Sequence, residues 1–145
     1  MWKSSGTTTN VTLLLPHLAS AYARVGQFDD AWHCINEALT IVEKTKETWC
    51  EAEVHRTAGE VTLMGPKPDA AKAGAYFQRA LSVARQQQAR SLELRAAMSM
   101  ARLWRDQGKR NEACDLLAPV YGWFTEGFDT KDLREAKALL DELAA

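Results

Sequence analysis

The sequence lacks the features that mark secreted, zinc-binding and membrane proteins. Its three cysteines, Cys34, Cys50 and Cys114, are far apart and form no CxxC pair, so neither a disulfide framework nor a zinc site is indicated. No apolar run approaches the roughly 20 residues of a membrane span, and the first ten residues contain no apolar segment of a signal peptide. We therefore expect a cytoplasmic protein that has no membrane partner.

An excess of charge of either sign is also missing. The chain has 18 Lys and Arg residues and 19 Asp and Glu residues, for a formal net charge of -1. Proteins that bind nucleic acid usually carry a basic excess, and this balance gives no support for such a partner. The composition, 46% hydrophobic and 26% charged, is that of an ordinary soluble domain. We expect no nucleic-acid partner.

Motifs for catalysis or cofactor binding are missing as well. His17, His33 and His55 form no HExxH motif, and the segment after Gly65 lacks the second glycine and the Lys-Ser/Thr of a phosphate loop. Glu51 and His55 stand one helical turn apart and could share a metal ion. Two ligands are too few for a metal site, so a surface ion pair is the favoured interpretation. We expect no enzymatic activity, no metal and no cofactor.

The sequence does contain a pattern of small and aromatic residues that occurs three times. One series has spacings of four, three and four residues and ends on glycine: Leu15/Ala19/Tyr22/Gly26, Val54/Ala58/Val61/Gly65 and Ala97/Ala101/Trp104/Gly108. A second series has spacings of four and three residues and begins on alanine: Ala31/Ile35/Ala38, Ala73/Phe77/Ala80 and Ala113/Leu117/Val120. These first alanines recur after 42 and then 40 residues, a period typical of solenoids built from helix pairs.

The pattern predicts an all-α protein with three helix pairs, at about residues 11–46, 48–87 and 91–124, and a capping helix at about 130–143. The individual helices are expected at about 11–25, 29–46, 48–64, 70–87, 91–107, 111–124 and 130–143. The last helix has one apolar and one charged face, as a terminal cap requires. We expect residues 1–10 to be a disordered leader or an expression remnant, in front of a single domain that covers residues 11–145.

Two places interrupt the pattern. Pro16 lies inside the first predicted helix, which therefore begins near Leu15 or is kinked there, because proline removes a backbone donor and clashes with the preceding turn. The step from Gly65 to Ala73 is eight residues long, whereas the corresponding steps in the other repeats are five. The two prolines of this longer connection predict a turn, and Asp69 is a candidate N-cap for the helix that follows.

The repeated positions resemble those of the tetratricopeptide (TPR) repeat. The first repeat matches through Leu18-Ala19, Tyr22, Gly26, Ala31, Ile35 and Ala38, and the third through Ala101, Trp104, Gly108, Ala113 and Leu117. The second repeat departs from the pattern, with Val61 at the aromatic position and a longer loop. The long helices are similar to those of MalT-like regulators and kinesin light chains. The resemblance implies a right-handed α-α superhelix that displays binding surfaces.

Four segments resemble the C-terminal TPR region of large bacterial signalling proteins. Those proteins carry a class III adenylate or guanylate cyclase domain, or a DNA-binding domain, followed by an AAA/STAND-type ATPase. The segments are residues 89–97, 108–113, 119–130 and 133–140. The resemblance implies a non-catalytic regulatory module, the C-terminal fragment of a longer protein, that binds a protein, a peptide or other domains of the same polypeptide.

Two alternatives to this interpretation remain open. The chain could be a free-standing adaptor that binds a peptide. It could also be the small-molecule sensor arm of a MalT-like regulator, with His17, His55 and Arg102 around the ligand. A homo-oligomer formed through exposed repeat ends is compatible with each interpretation.

The resemblance also indicates where contacts with a partner are expected. In TPR arrays the first helix of each pair lines a concave groove, and the corresponding candidates are His17, Ser20, Arg24, His55, Arg56, Thr62, Arg95, Met98, Arg102 and Arg105, with Gly59 beside them. The arginines of the third repeat suit the carboxylates of a peptide or of another domain. The alternative is a solvated face that Glu93 and Asp106 partly neutralise. The carboxylate clamp of chaperone-binding TPRs is not reproduced, because Pro16 and Ser20 stand where that clamp has Lys and Asn.

Overall fold

The structure of the protein is a computed structural model that describes residues 5–45, 51–127 and 130–144. These residues form seven α-helices and no strand. The helices are α1 (Ser5–Arg24), α2 (Phe28–Thr45), α3 (Glu51–Met64), α4 (Ala70–Gln86), α5 (Arg90–Asp106), α6 (Arg110–Gly122) and α7 (Lys131–Ala144). The prediction of an all-α protein is confirmed.

Most helix ends lie within two residues of their predicted positions, but α1 does not. It begins at Ser5 rather than at Val11, so the predicted start of the first helix is wrong and residues 5–10 are helical. That these residues are an expression remnant stays a prediction. Once a helix has nucleated, each further residue adds one backbone hydrogen bond, and α1 extends toward the N-terminus in this way. Residues 1–4 lie outside the described residues, as does the predicted start of the third helix at Thr48.

Pro16 lies inside α1 without ending it. The helix runs from Ser5 to Arg24 through the proline, so the alternative in which the helix begins near Leu15 is wrong. Pro16 is buried. Its missing N–H interrupts the ladder at only one point, and the flanking turns hold the helix together.

Two of the three repeated glycines end their helices in the same way. Gly26 and Gly108 have φ angles of 84° and 81°, a conformation that costs glycine little. In each case the residue after the glycine donates a backbone hydrogen bond to the preceding helix, from Gln27 to Tyr22 O at 2.8 Å and from Lys109 to Trp104 O at 2.7 Å. These bonds satisfy carbonyl groups that would otherwise be unpaired at the helix end.

The longer connection after Gly65 differs from the other two in that a side chain at its end caps the N-terminus of α4. The Asp69 side chain accepts a hydrogen bond from the backbone N–H of Lys72 at 3.0 Å, which confirms Asp69 as the N-cap of α4. The loop and the start of α2 enclose a cavity of about 320 Å³ beside Phe28 and Trp32. The insertion therefore adds a separate surface feature to the second repeat.

The helices pack in two layers. Short connections make each helix run back along the one before it, and each helix contacts the next. The odd-numbered helices also contact one another in the order α1, α3, α5 and α7. Among the described residues, no Cα of α2, α4 or α6 lies within 8 Å of another of these three helices. The four odd-numbered helices therefore run in the same direction in one layer, and α2, α4 and α6 cover it on one side.

Small residues set the distance between the layers. Ala19, Ala58 and Ala101, which recur at the same position of α1, α3 and α5, are all fully buried. Gly59 makes a still closer contact, because a Cβ atom built on it would lie 2.5 Å from Cε1 of Phe77 on α4. Gly59 therefore packs against α4, and its predicted place beside a groove is wrong.

Candidate functional site

A groove of about 470 Å³ crosses the layer of odd-numbered helices. Residues from all four of these helices line it: His17, Ser20, Ala21 and Arg24 of α1, Glu53, Arg56 and Glu60 of α3, Arg95, Met98 and Arg102 of α5, and Lys131, Asp132 and Glu135 of α7. The groove exists because α1, α3, α5 and α7 lie side by side, and each helix presents one face along the same surface.

Most of the residues predicted from the sequence to contact a partner line this groove. They are His17, Ser20, Arg24, Arg56, Arg95, Met98 and Arg102. Spacings of three and four residues place each set on one face of its helix, and the packing of the helices then brings the sets together. That these residues bind a partner remains a prediction.

Three of the predicted residues lie elsewhere. Thr62 is buried, donates a hydrogen bond to the carbonyl of Ala58 at 2.8 Å, and lines the separate cavity beside Trp32. Arg105 lies one turn beyond Arg102 and pairs with Glu142 at 3.2 Å. It does not line the groove.

His55, the third of these residues, is also buried outside the groove. Its Nε2 atom lies 3.2 Å from Oε2 of Glu51, so the two residues pair as expected, but His55 is buried rather than at the surface. Burial lowers the pKa of His55, although the hydrogen bond to the Glu51 carboxylate and its negative charge oppose this shift. His17 and Arg102 line the groove without His55, so the three residues do not surround one ligand.

The sequence reasoning missed two groove residues on α3. Glu53 and Glu60 line the groove. Each lies two residues before a predicted residue, His55 or Thr62. Two residues correspond to a rotation of about 200° around the helix, so His55 and Thr62 lie on the side away from the groove. A signal was present in the sequence, since Glu53, Arg56 and Glu60 have the spacings of a helical ion-pair series. Arg56 contacts Oε1 of Glu53 at 2.7 Å and Oε1 of Glu60 at 3.4 Å.

Glu53 is the centre of an ion-pair network that joins three helices. Its carboxylate accepts hydrogen bonds from Arg56 Nη2 at 2.9 Å and from Arg95 Nη1 at 2.9 Å. Arg95 also donates from Nε to Oδ2 of Asp132 on α7 at 2.9 Å. The same guanidinium therefore connects α3, α5 and α7, and the fork of donors on arginine suits this geometry.

The electrostatics of the network favour its charged form. Burial raises the pKa of Glu53, since its side chain is only 9% exposed, but the hydrogen bonds and charges of Arg56 and Arg95 outweigh this effect. The net result is a pKa below the usual value for a glutamate. Glu53 is thus held as a carboxylate, because a buried charge with two close partners is stable where an unpaired one is not.

The arginines of α5 are neutralised mainly by α7 and α3. Arg102 lies 3.8 Å from Glu135. Asp106 contacts Arg105 at 3.2 Å, as expected. Glu93 pairs with Arg85 and Arg90 instead, so the expectation that it neutralises the groove arginines is wrong. Glu93 lies near the N-terminus of α5, where it meets the end of α4.

Two cations of the groove have no ion-pair partner among the described residues. Arg24 lies at the end of α1 and Lys131 at the start of α7, and both are exposed. In total the groove is lined by five Arg and Lys residues and four carboxylates. The floor is therefore internally paired. The two cations without such a partner lie on the outer helices α1 and α7, and Asp132 and Glu135 of α7 pair with the arginines of α5.

The described residues offer little for chemistry. They contain no group of three or more His, Cys, Asp or Glu residues that could hold a metal ion. Burial raises the pKa of the Cys34 thiol, and Glu37 and Asp30 add to this shift, so the reactive thiolate is disfavoured. No helix in this part of the chain is long and apolar enough to cross a membrane.

Comparison with known proteins assigns no family. No protein-family model matches the sequence, and no curated protein is significantly similar to it. The support for a function therefore comes from the groove, its charges and the repeated residues.

Proposed function

We propose that the chain is a non-catalytic protein-interaction module of the TPR type, and that its groove binds an extended acidic segment. The segment belongs to a partner protein or to another domain of the same polypeptide. One observation carries this proposal: a groove that crosses four adjacent helices has a paired, ordered floor and unpaired cations at both outer helices. Helical arrays use extended surfaces of this kind for binding.

The paired floor supports recognition because it holds the guanidinium groups in place before a ligand arrives. Arg95 and Arg102 remain 38% and 40% exposed although each has a carboxylate partner. An incoming carboxylate can share these donors without much loss of side-chain freedom on binding. Arg24 and Lys131 add attraction for negative charge at either side of the groove.

The wider setting that we propose is a bacterial signalling protein with a cyclase or DNA-binding domain and an ATPase. The four segments named above resemble the C-terminal region of such proteins. In that setting the groove would hold an acidic segment of a neighbouring domain, and the module would transmit a signal rather than perform a reaction.

A binding measurement with a defined acidic probe tests the proposal. We expect a fluorescently labelled octaglutamate peptide to raise its anisotropy on titration with the protein at low salt, and an octalysine peptide to show no change. Arg24→Glu combined with Lys131→Glu should weaken binding by about tenfold or more, equivalent to about 1.4 kcal/mol. Binding should also weaken as salt screens these exposed charges.

A variant of equal charge provides the control. Lys67→Glu combined with Lys137→Glu makes the same change in net charge at two exposed residues that do not line the groove. This control should bind nearly as well as the wild type. A failure of octaglutamate to bind, or equal weakening by both double variants, would contradict the proposal.

A further inference from the structure

The N-terminal end of the helix array carries an exposed apolar stripe. Leu14, Leu18 and Val25 are 57%, 41% and 69% exposed, and Ala21 between them is exposed as well. Their spacings of four, three and four residues place them on one face of α1 and of the turn that follows it. We call these four residues the α1 stripe.

The corresponding face of α5 is covered by another helix. Through the repeat, Leu18 and Ala21 correspond to Met100 and Leu103, each one residue before a repeated position. Met100 and Leu103 are buried in a cluster with Ala73 and Phe77 of α4. This face of an odd-numbered helix is therefore suited to helix packing, and the α1 stripe is the copy that lacks a neighbour among the described residues.

The opposite end of the array does not match the stripe. The exposed face of α7 carries Arg134, Lys137 and Asp141, and the last two form an ion pair at 3.1 Å. Placing this face on the α1 stripe would remove charged groups from water without new partners, which is unfavourable. Head-to-tail association of two chains is therefore disfavoured.

The stripe is complementary to itself. The order of its spacings is the same in both directions, so an antiparallel copy places Leu14 against Val25 and Leu18 against Ala21. In the second pair a large residue faces a small one. In this alignment each Arg24 lies level with a point on the other copy that is about nine residues from that copy's Arg24. At about 1.5 Å per residue, the two Arg24 side chains are therefore about 13.5 Å apart along the helix axis. A parallel arrangement would instead place one Arg24 directly beside the other.

We propose that the α1 stripe is a docking surface for a second copy of this chain, which packs α1 against α1 in antiparallel fashion. A contact in which both copies use the same patch closes at two subunits. This surface borders the groove, because Ala21 belongs to both, but Leu14, Leu18 and Val25 lie outside the groove, and dimerisation is a separate activity from the binding proposed there. The contact is small, so we expect a dimer that forms reversibly in the micromolar range rather than a permanent one.

Sedimentation equilibrium of the full chain tests the proposal. Between about 1 and 300 µM, a range that spans weak association, the average mass should rise from that of one chain toward that of two and not beyond. A mass that stays at one chain throughout overturns the proposal and would mean that the partner of the stripe is a helix other than a second copy of α1. A mass that continues past two chains also overturns it, because a two-fold contact cannot grow further.

Matched substitutions locate the contact. Leu18→Glu should raise the dissociation constant by about tenfold or more, whereas Ala138→Glu, on the exposed face of α7, should leave it unchanged. Val25→Lys is a second stripe variant at a position outside any helix, so it keeps the test valid if Leu18→Glu does not fold. An unchanged dissociation constant in folded stripe variants contradicts the proposal.

A cross-linking experiment tests the antiparallel geometry. In the proposed dimer Leu18 of one copy lies against Ala21 of the other, so a mixture of Leu18→Cys and Ala21→Cys chains places two thiols opposite each other. Under mild oxidation this mixture should form a disulfide-linked dimer in much higher yield than either variant alone, with Ala138→Cys and the wild type as background. A higher yield from either single variant than from the mixture would contradict the antiparallel arrangement.

Discussion

The two ends of the helix array differ in the kind of surface that they expose to solvent. At the C-terminal end, α7 buries Leu133, Leu139 and Leu143 in the same apolar cluster as residues of α5 and α6, and it supplies carboxylates to the arginines of α5. At the N-terminal end, α1 buries one face against α2 and α3 and leaves the α1 stripe exposed. The C-terminal end of the array therefore exposes a charged face, and the N-terminal end exposes an apolar face.

The repeat pattern therefore specifies how helices pack inside the array, but it does not specify which faces are exposed at the two ends. A helix within the array is apolar on two sides because it has neighbours on two sides, whereas a terminal helix needs a polar outer face to remain soluble alone. α7 meets that requirement and α1 does not.

The largest difference is expected between the same truncation at a buried residue of α7 and at a residue of the α1 stripe. Leu139→Ala removes a side chain that is 4% exposed, and the lost burial and the resulting cavity should reduce the free energy of unfolding by about 2–5 kcal/mol. Leu18→Ala changes a partly exposed residue and should stay within about 0.5 kcal/mol. Urea unfolding at low protein concentration, where the chain is monomeric, measures both values. A loss for Leu18→Ala similar to that for Leu139→Ala would contradict the exposure of the α1 stripe.

A smaller contrast is expected between two arginines of α5. Arg95→Met removes hydrogen bonds to Glu53 and Asp132 and should cost about 1.5–3 kcal/mol, as for hydrogen bonds to charged groups. Arg102→Met removes an exposed pair at 3.8 Å and should cost between about 0 and 1 kcal/mol. The same denaturation assay compares the two variants, which match in chemistry and helix. If Arg102→Met cost as much as Arg95→Met, the network around Glu53 would have no special role in stability.

The pH dependence of stability should reveal the same network. The pKa of Glu53 is lower in the folded chain than the ordinary value of 4.5, so its carboxylate stabilises the fold above about pH 4.5, and this contribution is lost as the pH falls through the lower folded value. Glu53→Gln should therefore have a lower Tm than the wild type at neutral pH, with a difference that narrows in acid. Thermal unfolding from about pH 7 to pH 3 measures this change.

Glu142→Gln is the control for the pH experiment. Glu142 pairs with Arg105 at the surface, where exposed ion pairs contribute little. Its Tm should follow that of the wild type across the whole pH range. A gap between Glu53→Gln and the wild type that stays constant down to acid pH would contradict the assignment of a lowered pKa.

Local features of the structure could be predicted from the sequence with good accuracy. Gly26 and Gly108 adopt positive φ, and Asp69 caps α4, because each of these depends on a few neighbouring residues. The apolar face of α7 was also predictable, since its four buried residues follow the period of a helix. The start of α1 was not, because residues 5–10 give weak local signals and the helix extends from its packed part.

The groove was predictable only in part. Most polar positions of α1 and α5 were assigned correctly, because each of these helices has one polar face toward the groove, but Arg105 of α5 lies outside it. α3 has polar residues on two sides, with Glu53 and Glu60 on one and His55 and Thr62 on the other. The sequence does not show which side faces the groove, since that depends on where α2 and α4 cover α3.

Most helix ends and the small residues at the helix contacts follow from local sequence, because turns, caps and the 3.6-residue period act over a few residues. Which charges meet depends on the packing of the helices. Arg95 reaches Asp132 across 37 residues and Glu53 across 42, and the same packing left the α1 stripe uncovered. Contacts of this separation depend on how whole helices are placed, and no local pattern contains that information.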